Sequence, residues 1–410
     1  MYSTAAPNPV LAAFLVSLLF AETAGRAQTA DRPRASNLHL GPVEIRGGIG
    51  GRVMYDDNVY LISEDQQLSE DFSKDDIIYS VIPAAGITYT NTRFNVVGDY
   101  RISFDRYSDN TEEDSEEQFL DFLADYESPR GLRLSLRDTF RDLAGPSESE
   151  VTRRADRTEN TTDAEAIYQA TYKSAFGANY RHYLIDFTDE EYTEYDEDVV
   201  GITGFRVVTP KKFLYLNANY GYLDIDDGSE GDYVEGNLGI RGQVTGKITG
   251  RAQVGYQDRS YDSTPEVERG GISDLVSLVD LQYRPQLPTA VIISALRSPY
   301  VSLVDVGNTY TLTRISLGVR HELPSNFDLF SSISQSWYEY DRGFPTLAAD
   351  GSTITEDRTD STQYVVLGIG YQPRRWLRLQ LDYLFRANSS DMDWAEYDNN
   401  RVGLTVAYLW

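Results

Sequence analysis

Seven side chains are the candidates for chemistry in this sequence: Arg101, Arg133, Arg137, Arg206, Arg241, Arg378 and Asp382. Each lies in a segment where apolar and polar residues alternate, so a β-sheet would turn the polar set to one side. In 377–385, Leu377, Leu379, Leu381, Tyr383 and Phe385 oppose Arg378, Gln380 and Asp382. In 132–137 the leucines at 132, 134 and 136 oppose Arg133, Ser135 and Arg137. If the other face meets lipid, the arginine face must point inward, because an Arg near a bilayer midplane costs about 2–4 kcal/mol. A ladder of guanidinium groups along a water-filled passage, with Arg320 as a further rung, would draw anionic solutes or an acidic polysaccharide to a constriction. The competing reading is structural: the arginines pair with inward carboxylates such as Asp99, Asp138 and Asp382 and make the wall polar.

Other chemistries find little footing, and no catalytic, cofactor-binding or metal-ligating residue is expected. There are three histidines. His39 precedes the alternating region, His182 shares a face with Ala178, Tyr180 and Leu184, and His321 adjoins Glu322. None stands in a nucleophile setting. The acidic stretch Asp224 to Glu235 puts carboxylates at the first, third and twelfth places of a calcium loop, but Ser229 occupies the place that needs glycine. Clusters such as Glu112–Asp114 and Glu116–Glu117 suit weak divalent-cation bridging to lipopolysaccharide, or a solvated negative mouth.

The chain has 410 residues, a formal charge of −27 and no cysteine. Such a charge disfavours nucleic acid, whose phosphates would be repelled. Without cysteine neither a disulfide framework nor a thiolate metal site is possible. Tyr contributes 30 residues against 16 Phe. A ring that is apolar with a polar tip suits strands passing from lipid to water. An apolar run from Val10 to Phe20 leads to Gly25-Arg26-Ala27, which reads as a signal peptide over 1–27 although no Lys or Arg precedes it. A short periplasmic leader, 28–43, would follow, and then one domain, 44–410.

Within that domain alternating segments of roughly 10–14 residues recur, about eighteen of them, with sixteen as the competing count. One is placed at 164–173, after a long loop running from Asp142 to Asp163, and the last at 400–410. The connections alternate between short turns, such as Ser128-Pro-Arg-Gly131 and Thr209-Pro-Lys-Lys212, and long acidic segments, such as Thr188 to Glu197 and Asp224 to Asp232. This asymmetry predicts an all-β, antiparallel up-and-down transmembrane barrel with short periplasmic turns, long extracellular loops and both termini periplasmic. Its setting would be the outer membrane of a Gram-negative bacterium. The sequence ends in an alternating strand, with Gly403, Val406, Tyr408 and Trp410 carrying an assembly signal. Tyr60, Trp337, Tyr338, Tyr340, Trp376, Trp394, Tyr397 and Trp410 fit interfacial girdles, or alternatively sugar-stacking platforms.

The stretch Gly47-Gly-Ile-Gly-Gly-Arg-Val-Met-Tyr-Asp-Asp-Asn-Val-Tyr60, with the layout to Trp410, resembles the putative beta-barrel porin 2 family of outer-membrane proteins. The resemblance implies a pore or a secretion-linked barrel, often tied to exopolysaccharide export, and supplies no catalytic residues. The expected function is a porin-like channel for small solutes or an exported surface polysaccharide. Its alternatives are a plugged barrel anchoring a polysaccharide secretion machine and a barrel enzyme acting on lipid or polymer. Expected partners are outer-membrane lipid and lipopolysaccharide, the barrel-assembly machinery and polysaccharide-export proteins; no cofactor is expected.

Overall fold

Period-two alternation puts apolar side chains on one face of every strand, and a sheet that size must bury its edges as well as that face. The computed structural model describes residues 38–63, 72–145, 150, 154–189, 191–262, 269–286, 288–305, 307–347 and 353–410. The expected signal peptide and residues 28–37 of the leader lie outside the described residues. Eighteen long strands form the wall, and sixteen do not suffice. They are β1 Val43–Asp56, β2 Asp76–Thr90, β3 Phe94–Tyr107, β4 Ser115–Glu127, β5 Leu132–Leu143 and β6 Arg157–Thr171. Next come β7 Ser174–Phe187, β8 Tyr195–Thr209, β9 Lys212–Ile225, β10 Glu230–Gln243, β11 Ile248–Asp262 and β12 Ile272–Gln286. The last six are β13 Thr289–Val301, β14 Thr309–Leu323, β15 Phe327–Tyr340, β16 Thr359–Arg374, β17 Leu377–Ser390 and β18 Tyr397–Leu409.

Each strand pairs antiparallel with the next, and β18 closes on β1 from Gly48↔Leu409 to Asp56↔Arg401. Closure joins the first strand to the last, so most backbone polar groups are satisfied within the sheet. A three-residue strand, Leu38–Leu40, folds back on the start of β1, and a small hairpin of Phe344–Leu347 with Thr353–Glu356 stands in the β15–β16 connection. The outward face exposes a continuous apolar belt, including Val53, Leu216, Leu238, Leu367 and Leu404. Apolar surface on that scale marks contact with something other than water. No described helix is long and apolar enough to cross a membrane.

Three boundaries differ most from expectation, and for one reason. β6 begins at Arg157 rather than near 164, because its outward residues Thr158, Asn160 and Thr162 are polar and the alternation is hidden there. Likewise β9 and β10 run up to Ile225 and from Glu230, so most of the Asp224–Asp232 connection is strand. A polar outward face reads as loop in a sequence, yet paired on both sides it is ordinary strand.

The ends of the first and last strands are held at both rims. At the short-turn end the Gly47 and Trp410 backbones exchange hydrogen bonds of 3.2 and 2.9 Å. The indole lies so close to Gly47 that a Cβ there would stand 2.4 Å from its ring. Tyr408 packs between Trp376 and Trp410, each ring centroid 5.9 Å away, on the outward face. Replacing Tyr408 with Asp, or deleting Trp410, should therefore lower the amount of folded, heat-modifiable barrel in the outer membrane; normal levels would refute this role.

At the long-loop end the Tyr55-Asp-Asp-Asn58 element is a staple. Asp56 accepts from the Asn58 backbone at 3.0 Å and from Asn399 Nδ2 at 2.5 Å, and pairs with Arg401 Nε at 2.8 Å. Asp57 holds Asn400 by its backbone and side-chain nitrogens at 2.6 and 2.7 Å. Asn58 Nδ2 reaches the Asp398 and Ile62 carbonyls at 2.7 and 2.8 Å. The motif that stands out in the sequence thus fastens the ends of the barrel together.

One seam in the wall is incomplete. β12 and β13 pair from Tyr283↔Val291 to Ser277↔Arg297. Beyond that both strands continue, β12 on β11 and β13 on β14, without pairing each other. Pro299, which has no N–H to offer, stands in this unpaired stretch, as expected of a proline confined to an edge.

Candidate functional site

The site is the lumen and what closes it. Strand parity sorts the sequence candidates: Arg101, Arg133, Arg137, Arg241, Arg378 and Asp382 share the inward face of their strands. Arg206 does not. Its cross-strand neighbours Ser174 and Leu214 point outward, and its Nη1 donates to Ser174 Oγ at 3.0 Å. It shares parity with the exposed Val200 and Ile202, and the inward residues Phe205 and Val207 are also apolar, which blurred the alternation. Asp138 is a second correction. It lies outward with Leu134 and Leu136, accepting from Thr162 Oγ1 at 2.6 Å and Asn160 Nδ2 at 3.3 Å.

Arg378 of the expected ladder, like the further inward arginines Arg52 and Arg46, is neutralised by an ion pair that skips a strand. Arg378 on β17 binds Asp328 on β15 at 3.1 Å, Asp382 on β17 binds Arg52 on β1 at 2.7 Å, and Arg46 on β1 binds Asp99 on β3 at 2.8 Å. Each pair passes over a glycine of the intervening strand, Gly370, Gly403 or Gly86. A Cβ at any of the three would come within about 2.5 Å of the bridging groups. Gly403, expected as part of a terminal assembly signal, thus makes room for Arg52. Arg241 on β10 reaches Glu165 on β6 at 3.8 Å, with its guanidinium 5.7 Å from the Phe205 ring. Arg101 stacks over Phe119 at 4.1 Å. Such clamps make the wall stiff and polar without leaving a purely cationic field.

Between β8 and β11 the inward face is rich in amides. Glu235 accepts from Asn219 Nδ2 at 3.2 Å, Asn237 Nδ2 at 2.5 Å and Gln257 Nε2 at 2.9 Å. Asn217 Nδ2 binds Thr203 Oγ1 at 3.0 Å, and Tyr215 Oη donates to Gln253 Oε1 at 2.6 Å. The Tyr215 and Tyr233 rings lie against Gly239 and Gly221 of neighbouring strands. Among the described residues, Asn219 Oδ1, Asn237 Oδ1 and Gln257 Oε1 are buried acceptors without a hydrogen-bond donor.

Loops cross the lumen at the long-loop end. The tip of the β13–β14 hairpin turns into the lumen, where Val301 packs on Val199, Leu223, Ile225 and Tyr233 of β8 to β10. Leu303 packs on Ala155, Ile185 and Phe187, and its carbonyl accepts from the Thr193 backbone at 2.9 Å. Glu150, in the β5–β6 connection, lies eight strands away around a ring of eighteen, so nearly opposite. It nevertheless accepts from Ser302 Oγ at 2.8 Å, the Leu303 backbone at 2.5 Å and Tyr340 Oη at 2.8 Å. Burial pushes its carboxyl above the ordinary range, against the pull of these three donors and Arg358. Arg269, itself buried, ties Asp227 at 2.7 Å to the Asn308 carbonyl at 2.7 Å and so joins two neighbouring loops to the hairpin. On the outside of the hairpin, Asp274 of β12 bonds Arg297 at 2.8 Å and Thr311 at 3.0 Å across the incomplete seam.

Other expectations fall as follows. In the stretch that resembles a calcium loop, Asp227 is engaged by Arg269 and Ser229. Among the described residues no three metal-capable side chains converge. His182 Nδ1 meets Asp198 Oδ1 at 3.0 Å on the outward face, and His321 Nδ1 meets Thr289 Oγ1 at 2.8 Å. Of the aromatic set, Trp337, Trp376 and Trp410 are exposed, but Tyr338 and Tyr397 are buried, because parity turns alternate residues inward. The Glu150 latch and the amide band escape sequence reasoning. Parity could place Asn217, Asn219 and Asn237 inside, but nothing local shows Glu150 crossing the mouth.

Residues 225–408 match the family model described as Putative beta-barrel porin 2, so the likeness rests on the C-terminal part of the barrel rather than on the Gly47–Tyr60 stretch. No curated protein matches the chain. Among solved structures the chain is similar to *Pseudomonas aeruginosa* OpdK with vanillate, at 12% identity, covering 89% of this chain and 99% of that one with a TM-score of 0.44. It is likewise similar to OccK9 (OpdG) of the same organism, at 11%, 90% and 98% with 0.45. A third, OccK2 (OpdF) in complex with glucuronate, gives 11%, 89% and 98% with 0.45.

Proposed function

We propose, on the premise of a porin-like outer-membrane barrel, that this chain is a gated channel. Its short turns and both termini face the periplasm and its long acidic loops face outside. It passes small polar solutes or an exported surface polysaccharide along the amide-rich wall. The β13–β14 hairpin is the gate, and its inward tip is the observation that carries this reading. A wall paired all round resists opening, whereas a segment unpaired from β12 can swing on its link to β14 and clear the lumen. Hydroxyl groups of a solute suit the half-buried Asn217, Glu235 and Gln253 side chains of β9 to β11. The reading includes no catalytic step. Its setting adds contacts with lipopolysaccharide at the outer rim, and export proteins are candidate partners at the inner one. The apolar docking of Val301 and Leu303 also favours a second reading, a permanently plugged barrel that anchors a secretion machine.

Because the chain has no cysteine, a clean lock can be built. Ile185→Cys with Leu303→Cys places two thiols in one apolar cluster. Purified into a planar bilayer, the reduced protein should show conductance steps broken by long closures, and the oxidised protein should be silent until reductant is added. Equal conductance in both states would show that the hairpin is not the gate. A folded barrel silent in every state would favour the plugged anchor.

A further inference from the structure

The outward face of β5 to β8 carries ionisable groups among apolar ones. Asp138 stands there between Leu136 and Phe140, and His182 between Tyr180 and Leu184. The cross-strand register places Asp138, Thr162, His182 and Asp198 in one row on consecutive strands. Asp138 is held by Thr162 and Asn160, while Asp198 accepts from Tyr180 Oη at 2.6 Å and meets His182 Nδ1 at 3.0 Å. Beside this row, towards the short turns, Ala164, Ala166 and Ala178 open an apolar hollow rimmed by Leu134, Leu136 and Tyr126.

Lipid tails offer nothing to a carboxylate or an imidazole, so ionisable groups on a membrane-facing surface call for a polar partner. Small side chains let backbones approach closely, and polar groups then act as the adhesive between membrane segments. The row also has the property that a two-fold contact demands, namely that the patch is its own complement. Thr162 on β6 is its midpoint, with an acid one strand to one side and an imidazole one strand to the other. About an axis beside β6, Asp138 of each copy faces His182 of the other, whose Nδ1 is already taken by Asp198.

We infer that this face is an interface between two copies of the chain, centred on β6, with Asp138 and His182 paired reciprocally across it. The inference rests on the membrane setting of the proposed function but not on conduction, so the two can fail separately.

The test uses single cysteines in the full chain, expressed in an outer membrane. Ala164→Cys, beside the axis, should give an oxidation-dependent dimer on gels, whereas Leu367→Cys, on the outward face of the far wall, should not. In the Ala164→Cys background, Asp138→His and His182→Asp should each abolish the dimer band, and the two together should restore it. Every variant is checked for a heat-modifiable folded band. A folded Ala164→Cys protein that cross-links no more than the Leu367→Cys control would overturn the interface, leaving lipid as its occupant. Equal cross-linking in all the charge variants would overturn the Asp138–His182 pairing.

Discussion

Replacing Glu150 with alanine should raise the open probability of the channel by about tenfold or more in single-channel recordings. The substitution takes one acceptor from three donors, Ser302 Oγ, the Leu303 backbone and Tyr340 Oη, in a buried setting. Leaving one such group unsatisfied costs about 1–3 kcal/mol, and about 1.4 kcal/mol already shifts an equilibrium tenfold. In the open state the same donors meet water, so the cost falls on the closed state alone. An alanine variant with unchanged gating would remove Glu150 from the latch.

The same carboxyl makes closure depend on pH in a defined direction. Burial holds its pKa above the usual value in the closed state, whereas in the open state the group meets water and titrates in the ordinary carboxylate range. The closed state therefore binds the proton more tightly. Closure is fully favoured below the ordinary pKa and weakens as pH rises through the raised one. The charged or titratable groups around Glu150 are Arg358, Tyr340, Tyr310 and Asp360. Arg358 keeps its charge throughout this window and holds Asp360, and tyrosines titrate far above it. Open probability should accordingly rise from acid to neutral pH in the parent. Glu150→Gln keeps a carbonyl acceptor and loses the titration, so it should flatten that profile and close more firmly at neutral pH. Parallel profiles in the two proteins would assign the pH response elsewhere.

The second large effect is expected at the closing seam. Asp56→Ala should lower the stability of the barrel by about 3 kcal/mol, the scale of breaking a buried ion pair. Asp56 is 1% exposed, and its loss would take one acceptor from Arg401, the Asn399 amide and the Asn58 backbone N–H together. The readout is the urea midpoint at which the folded, heat-modifiable band disappears. Asp56→Asn keeps the acceptor for the two nitrogens and should fall between the parent and alanine. Since β18 meets β1 only after both are made, the loss should also slow assembly in membranes. An alanine variant with the parent's midpoint would mean that the Asp57 and Asn58 bonds suffice.

Strand number, closure and the identity of the outward face were legible in the sequence because they depend on a local period of two. Leu377 to Phe385 shows how little is needed: once five apolar residues share a face, the inward placement of Arg378 and Asp382 follows. The reading failed where that signal was locally ambiguous. Arg206 was misplaced because Phe205 and Val207 make both faces of β8 apolar, and β6 was shortened because Thr158, Asn160 and Thr162 make both of its faces polar. A family likeness could be sensed from Gly47–Tyr60, but that element works as a seam staple whose partners lie more than 300 residues away at Asp398 to Arg401.

What only the tertiary structure decided is how the lumen is filled. The strand-skipping clamps of Arg378, Asp382 and Arg46 depend on a glycine on a strand between, and the closure depends on Glu150 meeting Ser302 from the opposite wall. Alternation along a chain reports which way a side chain points. It carries no information about which side chain comes to meet it across an enclosed space, because that depends on register summed over many strands and on loops that obey no period. The sequence by itself therefore determined a closed, polar-lined barrel of about eighteen strands. Only the folded chain decided which of its arginines are neutralised and that loops from opposite walls meet inside its mouth.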